Sequence, residues 1–247
     1  MNLVKIIVVA ISTFLINPNH SESKPDTIVP VTITFLEKNG EFSKEEKAHI
    51  QNLIYTSEKK IRGLMPTLPD SVQVQVEIVD WNLNEVGGVT GRTQSNTPPL
   101  VIIQISKTFP GGIQAALNRG LASTLYHEFH HLALGWAIQD NKFPPGIDTA
   151  MVIEGLAEVF AEEYTEQTFA ANHIPEDVDP EEWIKEILDL PQNASYRHWM
   201  FEHPDGRRAI GYKAGTYLIR KTMRTSDKNV IELSGLSPKQ ILEMNGY

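Results

Sequence analysis

The chain has 247 residues, 41% hydrophobic and 21% charged, an ordinary globular composition with enough apolar side chain for one sizeable core. Its formal net charge of −9 argues against nucleic acid or an anionic membrane as the main partner, since both repel an acidic surface. There is no cysteine, so disulfides and thiolate metal sites are excluded, and a transition metal would have to sit on His, Asp or Glu.

At the N-terminus Lys5 is followed by an apolar run from Ile6 to Ile16. The run is too short for a bilayer, which needs about 20 residues, and suits the core of a signal peptide or N-terminal anchor within residues 1–23. That reading implies export, to the periplasm or beyond. A buried first strand, "VKIIVVAI", is the competing reading. Residues 24–247 read as a single domain, with a sheet part over 24–110 and a helical part over 111–247. No later segment is long and apolar enough to be transmembrane, and no internal repeat is present.

"IVPVTITFLE" (28–37) alternates and is β-branched, as a strand does. Ser43, with Glu46 three residues on, forms a capping box for a charged amphipathic helix to about Leu64. "SVQVQVEIVD" (71–80) alternates strictly and reads as a half-buried strand. "GGVTGRTQSNTPP" reads as a loop. "LVIIQIS" (100–106) is a further strand, and Pro98 and Pro99 before it suit an edge position.

After "FPGG" the period changes. Ile113 to about Ile138 reads as a long helix, with Leu117, Leu121, Leu125, Leu132 and Trp136 near helical spacing. "NKFPPGID" breaks it, and a second helix runs from about Thr149 to Thr168. "DPEEWIKEILDL" is a third, capped by Asp179 with Pro180 at its first position. "GYKAGTYLIRKTMRT" is a fourth, and "SPKQILEM" a short fifth capped by Ser237. Strands first and helices afterwards define an α+β fold: a small N-terminal mixed or antiparallel sheet with an edge strand, packed on a mostly helical C-terminal half.

The first of these helices carries His127-Glu128-Phe129-His130-His131, which fits H-E-x-x-H. On a helix of 3.6 residues per turn, His131 lies about 40° around from His127 and one turn further along. Both imidazoles therefore reach one ion. Glu128 falls on the His131 side, beside the ion, where a carboxylate can bind the metal's water. His130 falls on the other side of His127 and suits packing or support of the ligands, although a His127/His130 pair competes. The flanking residues Leu125, Phe129, Leu132 and Ala133 are apolar, and unpaired charge among them would be costly.

A catalytic zinc needs a third protein ligand and an open position. "MVIEGLAEVFAEEY" places Glu154 and Glu158 one turn apart on an otherwise apolar face. Two buried carboxylates so placed repel unless a cation holds them. Gly155, which costs about 1 kcal/mol in a helix interior, reads as the point where this helix approaches the first. Glu162 and Glu163 read as the solvated end of the same helix. Four groups are candidates for a donor to a developing oxyanion: Tyr212, His203, His198 and Tyr196. Tyr212 starts an amphipathic helix. His20, His49 and His173 are lone histidines, and Asn193-Ala194-Ser195 matches a glycosylation sequon, a pattern frequent by chance.

HEFHH followed by "EGLAE" resembles the gluzincin zinc metallopeptidases. "HEFHH…VIEGLAEVFAEEY…GYKAGTYLIRK" resembles more narrowly a little-characterised bacterial family of predicted zinc-dependent proteases. The likeness covers roughly residues 100–247 and includes the "GY" segment, which is why Tyr212 is the favoured donor. It implies a zincin-like domain in which His127, His131 and Glu154 hold Zn²⁺, Glu128 is the general base, and Glu158 orients His127. The implied activity is hydrolysis of peptide bonds in a peptide or protein substrate. Two alternatives stand beside it: a zinc hydrolase of non-peptide substrates, and a non-catalytic exported domain that binds metal or a partner. "LVIIQIS" is the expected edge on which an extended peptide lies.

Overall fold

The computed structural model describes residues 30–141 and 146–247. The N-terminal apolar run and its signal-peptide or strand readings lie outside these residues.

The chain opens with β1 (Val31–Leu36) and α1 (Lys44–Leu64), and α1 begins with the expected Ser43/Glu46 capping box. Then come β2 (Val72–Val79), β3 (Val89–Asn96) and β4 (Pro99–Ser106). The sheet order is β1-β2-β4-β3. β1, β2 and β4 are parallel, and β3 returns antiparallel along β4. The sheet is therefore mixed, and with the helices that follow it the α+β class stands.

Two expectations about the edge are corrected. "LVIIQIS" is not an edge strand: β4 lies between β2 and β3, as befits a run whose Val101, Ile103 and Ile105 are fully buried. The outer strands are β1 and β3, and β3 is the segment read as a loop. Its Gly and Asn have low strand propensity, but pairing with β4 and packing on a helix override that. Val89, Thr93 and Ser95 are its buried positions. The small residues at alternate positions carry the period-2 signal that the loop reading overlooked.

The long predicted helix is divided. α2 (Gly112–Ala116) passes through a wide π turn (Leu117–Leu121) into α3 (Ala122–Ala133). α3 stops earlier than expected: Gly135 adopts φ 73°, and the amides of Gly135 and Trp136 close on Leu132 and His131 carbonyls. A short α4 (Ile138–Asn141) precedes α5 (Ile147–Thr165), which also ends before the expected Thr168, at a left-handed Glu166. α6 (Pro180–Leu188) and α10 (Pro238–Met244) have the predicted caps. α7 (Tyr196–Met200) and α9 (Val230–Ser234) are short helices that no periodicity announced, and α8 (Ile210–Ser226) lies between them.

α5 is the central helix, with Val152, Leu156, Val159 and Phe160 fully or almost fully buried. Gly155 serves a different neighbour from the one expected. A Cβ there would lie 2.5 Å from Gly215 O and 2.7 Å from Gly215 Cα, so this glycine seats α8, not α3. Glu162 is also not solvated. Its carboxylate is buried and bound by Arg220 of α8 at 2.5 Å and His173 at 3.3 Å, whereas Glu163 stays at the surface. We expect Gly155→Ala to lower unfolding stability by about 2 kcal/mol in urea titration. The overpacking against backbone outweighs the roughly 1 kcal/mol gain in helix propensity. A variant as stable as the wild type would mean that α8 moves away freely.

No helix among the described residues is long and apolar enough to cross a membrane.

Candidate metal centre

α3 and α5 pack against each other beneath the sheet edge, and this contact builds the site. Three ligand atoms converge between them. His127 Nε2 lies 3.0 Å from His131 Nε2, and each lies 3.2 Å from Glu154 Oε2. The same three residues offer ligand atoms within 4.8 Å of one another. The donor set fits zinc. Bonds of about 2.0–2.1 Å at tetrahedral angles set ligand atoms roughly 3.3–3.4 Å apart, close to the observed triangle. Two imidazoles and one carboxylate are also ligand types that zinc accepts.

A further carboxylate supports the first histidine. Glu158 Oε1 is 3.1 Å from His127 Nδ1, so the ring is held with Nε2 turned inward. Glu158 is itself fixed through its other oxygen, which accepts from the buried Asn172 side chain. Asn172 closes a 3₁₀ turn (Ala170–Asn172) after α5.

Glu128 is buried on α3, and its carboxylate faces β3. Thr93 Oγ1 is 2.7 Å from the Glu128 carbonyl oxygen and 3.0 Å from its Oε2. A Cβ on Gly91 would lie 2.6 Å from Glu128 Cγ, so the strand has no side chain where the glutamate stands. Thr93, Gly91 and Asn172 are residues of this candidate site that the sequence reading missed.

The tyrosines come next. Tyr196 OH donates to Glu154 Oε1 at 3.4 Å. The Tyr212 ring is 6.4 Å from that of His127. His203 instead packs on Trp199 at 4.8 Å and pairs with Asp205 at 2.8 Å, while His198 is exposed. Neither lines the cleft. His130 faces away from the donor triangle and is fully buried, with Nε2 2.8 Å from Ser234 Oγ of α9. It packs rather than joining the site.

The charges are strongly coupled. Burial would lower the His127 imidazole, but the Glu158, Glu154 and Glu128 carboxylates lift it well above its ordinary value. Burial would raise Glu154, yet the two imidazoles hold it well below the usual carboxylate range. Burial pushes the Glu128 carboxyl up, against the pull of the same imidazoles. Burial, and then the Glu154 charge, raise both Tyr196 and Tyr212, so both hydroxyls are neutral donors at physiological pH.

The cluster lies where two cavities meet. A cleft of about 890 Å³ extends on one side and a cavity of about 290 Å³ on the other. His127, Glu128, Tyr196, Tyr212 and the β3 residues Thr90 and Gly91 line both. Space for a ligand thus runs along the edge strand and over the donor triangle.

An α+β fold with two imidazoles and a carboxylate converging at the floor of a cleft defines a protein able to hold a metal ion. Residues 111–243, more than half of the chain, match the family described as Predicted Zn-dependent protease (DUF2268), and the chain belongs to that family. The matched span contains the donor triangle, Glu128 and both tyrosines, whereas Gly91 and Thr93 precede it. No curated protein and no solved structure matches the chain.

Proposed function

We propose that this protein is a zinc metallopeptidase of the gluzincin type, with His127, His131 and Glu154 as the metal ligands. The observation that carries this reading is the triangle of donor atoms with 3.0 and 3.2 Å edges, with Glu128 beside it in the same cleft. Zinc, when bound, supplies Lewis acidity that activates water and polarises a carbonyl.

The chain's own residues supply the rest. Glu128 takes a proton from the attacking water and returns it to the leaving amine nitrogen. Thr93 suits both states of that carboxyl, since its hydroxyl donates to the carboxylate and accepts from the acid. Glu158 and Asn172 keep His127 in the tautomer that presents Nε2. Tyr212, which lines both cavities beside His127, supplies a neutral donor for the oxyanion as the carbonyl carbon becomes tetrahedral. An extended peptide lies along β3, the outer strand beside the cleft. This replaces β4 as the docking strand.

The test is metal removal. We expect the purified chain to cleave casein or short peptides, to lose that activity on treatment with a zinc chelator, and to regain it when zinc is restored. Hydrolysis of esters alone would move the reading to non-peptide substrates. Activity that survives complete demetallation would overturn it.

A further inference from the structure

Phe201 is 55% exposed, more than any other large hydrophobic side chain among the described residues. A single exposed phenylalanine needs no explanation by itself, but this one lines both cavities. It stands on the connection from α7 to α8, with ring centroids 6.0 Å from Tyr196 and 6.3 Å from Tyr212.

The connection that carries it is firmly held. Phe201 O accepts from Ala209 N at 2.8 Å, and Glu202 and Arg208 form a β-bridge. Arg207 forks onto Glu186 at 2.6 and 2.8 Å and lies over the Trp183 and Trp199 rings at 5.6 and 5.8 Å. Arg208 reaches across the cleft to Glu85 at 2.5 Å. The backbone that carries the exposed ring is therefore fixed beside the reacting groups, and the ring stands in water, where it adds little to the core. An aromatic side chain placed in this way is a binding anchor.

The smaller cavity indicates what it binds. Beyond Phe201 its apolar wall is Trp136, Ile138, Ala150 and Ile153, with Thr90, Thr93 and Gln104 on the strand side. Apart from the proposed ligands and Glu128, its charged lining residue is Arg92, whose Nε is engaged by Gln94 at 2.9 Å. Its volume of about 290 Å³ holds on the order of ten waters at about 30 Å³ each, which is ample for one large side chain. Water released from such walls favours an apolar occupant. Because Glu128 and His131 line the same cavity, that occupant belongs to a residue adjoining the bond being cut.

We infer that Phe201 and this cavity select peptides with a large aliphatic or aromatic side chain immediately beside the scissile bond. The inference rests on the metallopeptidase reading. The experiment profiles the zinc-loaded full chain on a peptide library in which each position near the cleaved bond is varied. At one adjoining position, Leu or Phe is expected to exceed Ala or Asp by about 10²-fold in kcat/KM. Phe201→Ala should cut that advantage about tenfold, mainly through KM, at unchanged zinc content and unfolding midpoint. Phe201→Leu should restore most of it. Equal rates across side chains, or an unaltered preference in Phe201→Ala, would overturn the inference. If the wild-type chain cleaves no peptide, the metallopeptidase reading fails. The apolar preference is then judged by calorimetric binding of the same peptides to the zinc-loaded chain, and equal affinities would overturn it.

Discussion

Glu128→Gln is expected to retain zinc and to lower kcat by about 10²–10⁴-fold, the range for loss of a positioned general base. The substitution keeps the volume and can keep the bond from Thr93 Oγ1, which lies 3.0 Å from Glu128 Oε2. What it removes is the ability to take and return a proton. Zinc should stay, because Glu128 is not among the converging donor atoms of His127, His131 and Glu154. The measurement is metal content by atomic absorption beside single-turnover peptide cleavage. A variant with wild-type turnover would remove Glu128 from the mechanism. A variant that loses zinc as well would make it part of the metal site.

Glu154→Ala is expected to weaken zinc affinity by more than 10²-fold and, with it, to abolish hydrolysis. Glu154 Oε2 is the one carboxylate oxygen that faces both Nε2 atoms, at 3.2 Å from each. Without it, two neutral imidazoles carry the ion alone, with no charge from a ligand to offset the dication. Glu158→Gln is the comparison. Glu158 touches His127 only at Nδ1, and loss of such an outer partner typically costs 10–100-fold in affinity. Competition with a chromophoric chelator measures both. Equal losses in the two variants, or unchanged affinity in Glu154→Ala, would place the third ligand elsewhere.

Much of the site was legible because its parts are local. His127 and His131 lie one turn apart on one helix, and so do Glu154 and Glu158. Helical geometry alone turns each pair to a common face. The residues that hold those groups were harder to find, because each acts across a long separation. Thr93 meets Glu128 35 positions away. It could have been suspected only from the alternation of small residues in a stretch that otherwise reads as a turn-rich loop. Asn172 meets Glu158 from a 3₁₀ turn that no periodicity marks. Gly155 was noticed for its helix cost, but its partner, Gly215, lies in a helix whose direction of approach is not written in local spacing.

The edge strand shows the same division. β-branched residues in "LVIIQIS" were correctly read as a strand, and the prolines before it suggested an edge. Strand order is decided by which faces are covered. Once α1 and α3 cover one face, the most apolar strand takes an interior place, and the polar, small-residue β3 is left outside, where it borders the cleft.

The amino-acid sequence by itself determined the α+β class, the caps of α1, α6 and α10, and the facing of His127 with His131 and of Glu154 with Glu158, since these follow from the order of periodic segments and from contacts within a turn or two of helix. Only the tertiary structure decided that the pairs meet, that β3 shelters Glu128, and that Phe201 stands in the cleft. Those arrangements depend on the packing of distant segments, which no local pattern encodes.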